Sequence, residues 1–131
     1  MAERGRDERG TSTELRRKLQ LPTGQLLGIV GDLEVVGNEL RLDLEGPHAV
    51  VDATASLFVV QNMRRLAGLA NQIVASAVAD RLTWVSYPKG GQLGTDLNRD
   101  VLAAFLMERG ARPVRQIALD ATWSALRFRP Q

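Results

Sequence analysis

Between Ser56 and Tyr87 the spacing of the apolar residues changes from strand-like to helix-like and back. Ser56-Leu-Phe-Val-Val-Gln61 is a short continuous apolar run, the pattern of a strand buried on both faces. Leu66, Leu69, Ala70, Ile73, Val74 and Ala77 then recur at helical intervals, so one apolar stripe runs along a helix over 64–79. Leu82-Thr-Trp-Val-Ser-Tyr87 is the next strand, stopped by Pro88. Few arrangements satisfy this order. The two strands lie parallel in one sheet, with the helix crossing over right-handedly between them.

The flanking segments extend the same plan. Thr11-Ser-Thr13 can cap a short helix reaching Gln20, with Leu15 and Leu19 on its docking face and Arg16, Arg17 and Lys18 elsewhere. Leu26-Leu-Gly-Ile-Val30 reads as a buried first strand, and Leu40 to Glu45 alternates as a half-buried edge strand. Thr95 or Asp96 caps a further helix to about Arg109, with Leu97, Val101, Phe105, Leu102 and Leu106 inward and Gly110 after its end. Val114–Leu119 and Ser124–Arg129 are two strands joined by the short Asp120–Trp123 turn. The expectation is one α/β domain over 13–131, Rossmann-like and three-layered. Its sheet is mostly parallel and closed by a C-terminal antiparallel β-hairpin. Residues 1–12, charged and without apolar periodicity, read as a disordered tail.

Composition narrows the function classes. With 131 residues there is room for one core. No apolar run approaches the roughly eighteen residues that span a bilayer, and the first ten residues have no apolar leader. The chain has no cysteine, so thiolate metal sites and cysteine nucleophiles are out, and cytoplasm is the default compartment. One histidine, His48, and scattered carboxylates give no metal-ligand spacing. Net charge is +2, but residues 81–131 carry eight basic and four acidic side chains whereas 21–80 carry three and seven. Such asymmetry can steer an anionic ligand or pair two copies.

Candidate site residues collect after the strand ends, where open α/β sheets bind ligands. Tyr87, Lys89, Thr95 and Asp96 surround the Pro88-Lys-Gly-Gly91 loop, which leads into a helix N-terminus and could hold a phosphate or carboxylate. The glycine order is not that of a phosphate-binding P-loop. Asp120, Trp123 and Ser124 occupy the last turn, with no base to make the serine a nucleophile. Tyr87-Pro88 raises the question of a cis bond, with trans as the expectation. Arg115, Arg127 and Arg129 read as a strip on the side of the strands turned away from the apolar one, suited to a second copy or a protein partner. Aromatics are too sparse for stacking on single-stranded nucleic acid, which is not expected as a partner.

Three stretches carry a resemblance. Trp84-Val-Ser-Tyr-Pro-Lys89, then Thr95-Asp-Leu97 with Arg99-Asp-Val101, then Thr122-Trp-Ser-Ala-Leu-Arg127 resemble a family of small bacterial domains of unknown function. The likeness is close over 81–129 and holds in outline over 14–60, through Leu21-Pro-Thr-Gly24. The order of elements from Ser56 resembles the C-terminal half of the Rossmann-like methyltransferase fold. The resemblance implies a fold and no activity. The turn after strand one offers Gly31-Asp-Leu-Glu34 instead of a glycine-rich loop that admits S-adenosylmethionine, so no cofactor is expected. Two readings remain: a non-catalytic module that self-associates or binds a protein through its sheet edge and arginines, or a protein that binds a small anionic metabolite or nucleotide at the strand ends.

Overall fold

In the structure, a computed structural model, residues 13–22, 25, 27–32, 35, 36 and 55–131 are described. The tail 1–12, the alternating strand 40–45 and His48 lie outside the described residues. The described elements are α1 (Thr13–Lys18), β1 (Gly28–Val30), β2 (Ala55–Val59), α2 (Met63–Val78), β3 (Leu82–Pro88), a 3-10 turn (Gln92–Gly94), α3 (Arg99–Met107), β4 (Ala111–Ala118) and β5 (Trp123–Pro130). They form a mixed α/β domain around a five-stranded open sheet of order β1-β2-β3-β5-β4.

The parallel unit stands as its apolar spacing dictates: β1 pairs with β2 and β2 with β3, both parallel. Leu66, Ala70, Ile73 and Ala77 of α2 are buried against this unit. Beyond it the expectation needs correction. Parallel and antiparallel pairings are equal in number, because β5 pairs antiparallel with both β3 and β4. The last two strands are antiparallel neighbours, yet they do not close the sheet; it stays open, with β4 on its edge. The inner position of β5 follows from its side chains. Trp123, Ala125, Leu126 and Phe128 are buried and alternate between the two faces, so the strand needs cover on both. β4 exposes Arg112, Val114, Arg115 and Gln116, contains Pro113, and is bulged between Pro113 and Arg115. Charge, proline and a bulge are features of an edge.

Each face of the sheet carries a core. Phe58, Val85, Tyr87, Leu126 and Phe128 pack with α2 and with Leu97, Leu102 and Leu106 at α3. Leu57, Val59, Trp84, Trp123 and Ala125 pack on the other side with Leu15 and Leu19 of the α1 segment. α1 therefore docks through its two leucines as their spacing predicts, and the Trp84 indole donates to the Leu19 carbonyl at 2.9 Å. Arg16, set apart from the docking face in the sequence, is nevertheless buried and donates to the Pro22 carbonyl at 3.0 Å. Val101 also departs, facing solvent instead of the core.

Both α1 and α2 end in the same way. Gln20 (φ 59°) and Asp80 (φ 58°) take the left-handed conformation just past the helix. Their amides reach back to Arg17 and Ala77, and those of Leu21 and Arg81 to Arg16 and Ser76. This is the Schellman pattern, here without the usual glycine.

Candidate functional site

Neither Thr95 nor Asp96 caps the helix that follows β3. Asn98 caps α3, its side chain accepting from the Val101 amide at 2.8 Å. Thr95 and Asp96 are engaged elsewhere. The Thr95 hydroxyl donates to the Gln61 carbonyl at 2.9 Å and accepts from the Leu97 amide at 3.0 Å. Asp96 accepts from the Met63 amide at 2.8 Å, so its carboxylate serves the first turn of α2. Asn62 caps α2 by accepting from the Arg65 amide at 2.9 Å. Two loops that are distant in sequence are thus stitched together where β2 ends. Asp96→Ala removes an acceptor from a helix N-terminus and is expected to lower stability by about 1 kcal/mol, read from the urea midpoint.

The remaining residues singled out in the sequence fall into separate groups. Tyr87 and Ser124 are cross-strand partners, both buried on the α2–α3 side, with the phenol and hydroxyl hydrogen-bonded. Burial is the main cause that raises the Tyr87 pKa, against the opposing pull of Arg99 and the Ser124 hydrogen bond. The phenol stays protonated at neutral pH. Trp123 is 1 % exposed and belongs to the core on the opposite side, so it and Tyr87 do not share a surface. Asp120 accepts from the Thr122 and Trp123 amides at 2.8 and 2.7 Å, which fixes the last turn. The Lys89 amide donates to the Thr122 carbonyl at 2.8 Å, holding its half-exposed residue beside that turn. The Tyr87–Pro88 peptide is trans.

A concavity lies one strand away. A cavity of about 450 Å³ opens at the C-terminal end of β2, lined by Gln61, Asn62, Arg64, Arg65, Gly68 and Leu69. The guanidiniums of Arg64 and Arg65 have no acidic partner among the described residues. The Gln61 side-chain oxygen is buried without a hydrogen-bond partner, a state that native structures rarely leave unexplained. Thr95 and Asp96 do not line this cavity but hold the turn that does. The sequence carried a signal for it: an apolar run ending in Gln61-Asn62, directly followed by two arginines at a helix start. That signal is weak, since arginines in a first helical turn are usually solvated.

The glycine at the β1 exit has another use. Gly31 has φ +117°, and a Cβ there would lie 2.6 Å from the Val59 carbonyl oxygen. Its conformation and lack of a side chain let β1 pass against β2.

The arginine strip also differs from its sequence reading. Arg115 and Arg127 are register partners in the same row as Ile117 and Ala125, two residues of the α1-side core. Positions two apart on a strand share a face, so the strip adjoins that core instead of opposing it. Arg129 makes a two-pronged pair with Asp80 at 3.1 and 3.2 Å, and Arg127 Nη1 donates to Gln20 Oε1 at 3.0 Å. Among the described residues, no helix is long and apolar enough to cross a membrane. Compared with protein-family models, curated proteins and solved structures, the chain matches none.

Proposed function

We propose that this chain is a binding module of Rossmann-like build that takes a small anionic metabolite or nucleotide in the cavity where β2 meets α2. One observation carries the reading: two arginines with no acidic partner among the described residues, and a glutamine whose side-chain oxygen is buried and unpartnered, line a cavity of about 450 Å³ at a strand C-terminal end. That volume suits a metabolite-sized ligand. Asn62 and Asp96 already occupy amides of the first α2 turn. The pull on an anion therefore comes from Arg64 and Arg65, not from the helix end. Gln61 supplies an acceptor for a ligand hydroxyl or amine, and Leu69 a short apolar wall. The run of strand, helix, strand, helix and two antiparallel neighbours from residue 55 supports reading the chain as a relative of the methyltransferase-like fold that its sequence resembles.

Association through the sheet edge has less behind it. Pro113, the bulge and the arginines of β4 all oppose the addition of another strand.

Titration of the chain with adenosine monophosphate, followed by amide chemical shifts, tests the binding reading. Shifts should centre on 61–69, and the Arg64→Glu/Arg65→Glu variant should bind about tenfold or more weakly. Unchanged affinity in that variant, or shifts confined to other elements, would sink the proposal.

A further inference from the structure

A second concavity lies at the opposite end of the parallel strands, on the α1 side. It measures about 260 Å³, and its walls include Ala55 and Leu82, the first residues of β2 and β3. Gln20 and Asp80, the two left-handed residues that end α1 and α2, also line it, as does Arg127. Each of these two residues holds one arginine of β5: Gln20 holds Arg127, and Asp80 holds Arg129. Arg115 stands opposite Arg127 in the sheet register and has no partner among the described residues.

Among the described residues, charge at this site does not balance: Arg127 lines the cavity, Arg129 and Arg115 act on it electrostatically, and the one carboxylate near them, Asp80, is engaged on both oxygens by Arg129. Arg127 is partly buried. Its Nε is buried with no acceptor, and among the described residues a neutral amide oxygen is its only side-chain hydrogen-bond partner. Burial, then repulsion from Arg129 and Arg115, lowers its pKa, while Asp80 opposes the change. A cation near two helix C-termini gains something from their carbonyls. Here several of those carbonyls already accept from backbone amides in the two helix-ending turns. A charge partly withdrawn from water beside like charges is unfavourable without a counter-charge.

We infer that this cavity binds a small oxyanion group, a carboxylate or a phosphate, on Arg127 with Arg115 as the second cation. With Nη1 on Gln20, the Nε–Nη2 edge of the guanidinium remains, the edge that matches two oxygens of such a group. Nε gives up no bond when the side chain turns toward the cavity. The Nη1 hydrogen bond to Gln20, a neutral acceptor, is weaker than a charge-assisted pair. Leu82 and Ala55 offer apolar contact to whatever carries the oxyanion. This site does not depend on the cavity at the β2–α2 turn.

Side-chain Nε–Hε resonances of the full chain provide the test. Sodium phosphate and sodium acetate are titrated separately, with sodium chloride at matched ionic strength as the reference. A saturable shift at Arg127 with phosphate, acetate or both, absent with chloride, is expected, and the responding anion identifies the group. Arg115→Gln should weaken that binding about tenfold, and Arg127→Lys, which keeps the charge but lacks the fork, should weaken it as well. Arg64→Glu/Arg65→Glu should leave it unchanged, which separates this site from the first. An Arg127 signal that moves equally with chloride, or does not move, overturns the inference. So does an Arg115→Gln variant of unaltered affinity. If Arg127→Lys fails to fold, the Arg115 variant decides, because that side chain is exposed and has no partner among the described residues.

Discussion

Trp84→Ala is expected to lower the unfolding free energy by roughly 3–5 kcal/mol, the range for deleting a large buried aromatic. Trp84 is fully buried on the α1 side. Its ring packs in the cluster that contains Leu15 and Leu19, and its indole N–H satisfies the carbonyl of Leu19, at the end of α1. A helix of six residues has almost no stability of its own. The loss is therefore expected to release α1 from the sheet before the whole domain unfolds. Trp84→Phe separates the two contributions. It retains most of the apolar volume but leaves the carbonyl without its donor, a loss of about 1–3 kcal/mol. Amide hydrogen exchange is the measurement: residues 15–21 should exchange much faster in Trp84→Phe while those of α2 change little. Equal protection of both helices in the phenylalanine variant would show that the hydrogen bond does not hold α1.

Gly31→Ala should be the next most damaging single change, at roughly 2–4 kcal/mol. Two penalties combine: a positive φ that a side chain rarely adopts, and a Cβ that must push the Val59 carbonyl from 2.6 Å. Because Val59 is the last residue of β2, the displacement acts on the strand that leads into the Gln61 cavity. Gly68→Ala is the informative control. That glycine lies inside α2, a Cβ there meets nothing within 4 Å, and alanine is the better helix former, so a gain of roughly 0.5–1 kcal/mol is expected. Thermal or urea unfolding of the pair checks the opposite signs. A Gly31→Ala protein as stable as its parent would refute the close-approach account.

The parts of the fold that are local in sequence were legible. The stripe of α2 and the runs of β2 and β3 each depend on side-chain periods within one segment, and the segments formed where those periods occur. Docking of α1 through Leu15 and Leu19 was legible for the same reason. Strand order was not, because hydrogen-bond partners are chosen between segments. Even so, β5 alternates buried residues on both faces and β4 carries Pro113 and arginines, a contrast that marks the inner and the edge strand. Of the candidate cavity only its setting at a strand C-terminal end was legible, since the sequence points to the ends of β3 and β4 and the cavity lies at the end of β2. Thr95 and Asp96 looked like caps for the helix beside them, whereas their hydrogen bonds run to Gln61 and Met63, more than thirty positions earlier. No pattern within one loop reveals an acceptor used by another. Gln61 reads as the end of a strand and Arg64 as the start of a helix, since only the three-dimensional cavity brings them together.

The distribution of the aromatic residues has an optical consequence. Both tryptophans of the chain belong to the α1-side core, and its one tyrosine lies on the other side of the sheet. Tryptophan emission is therefore a one-sided reporter. A red shift records water reaching the layer between α1 and the sheet, whatever the state of α2 and α3. Light scattering and far-ultraviolet dichroism average over the whole chain, but fluorescence follows this layer alone.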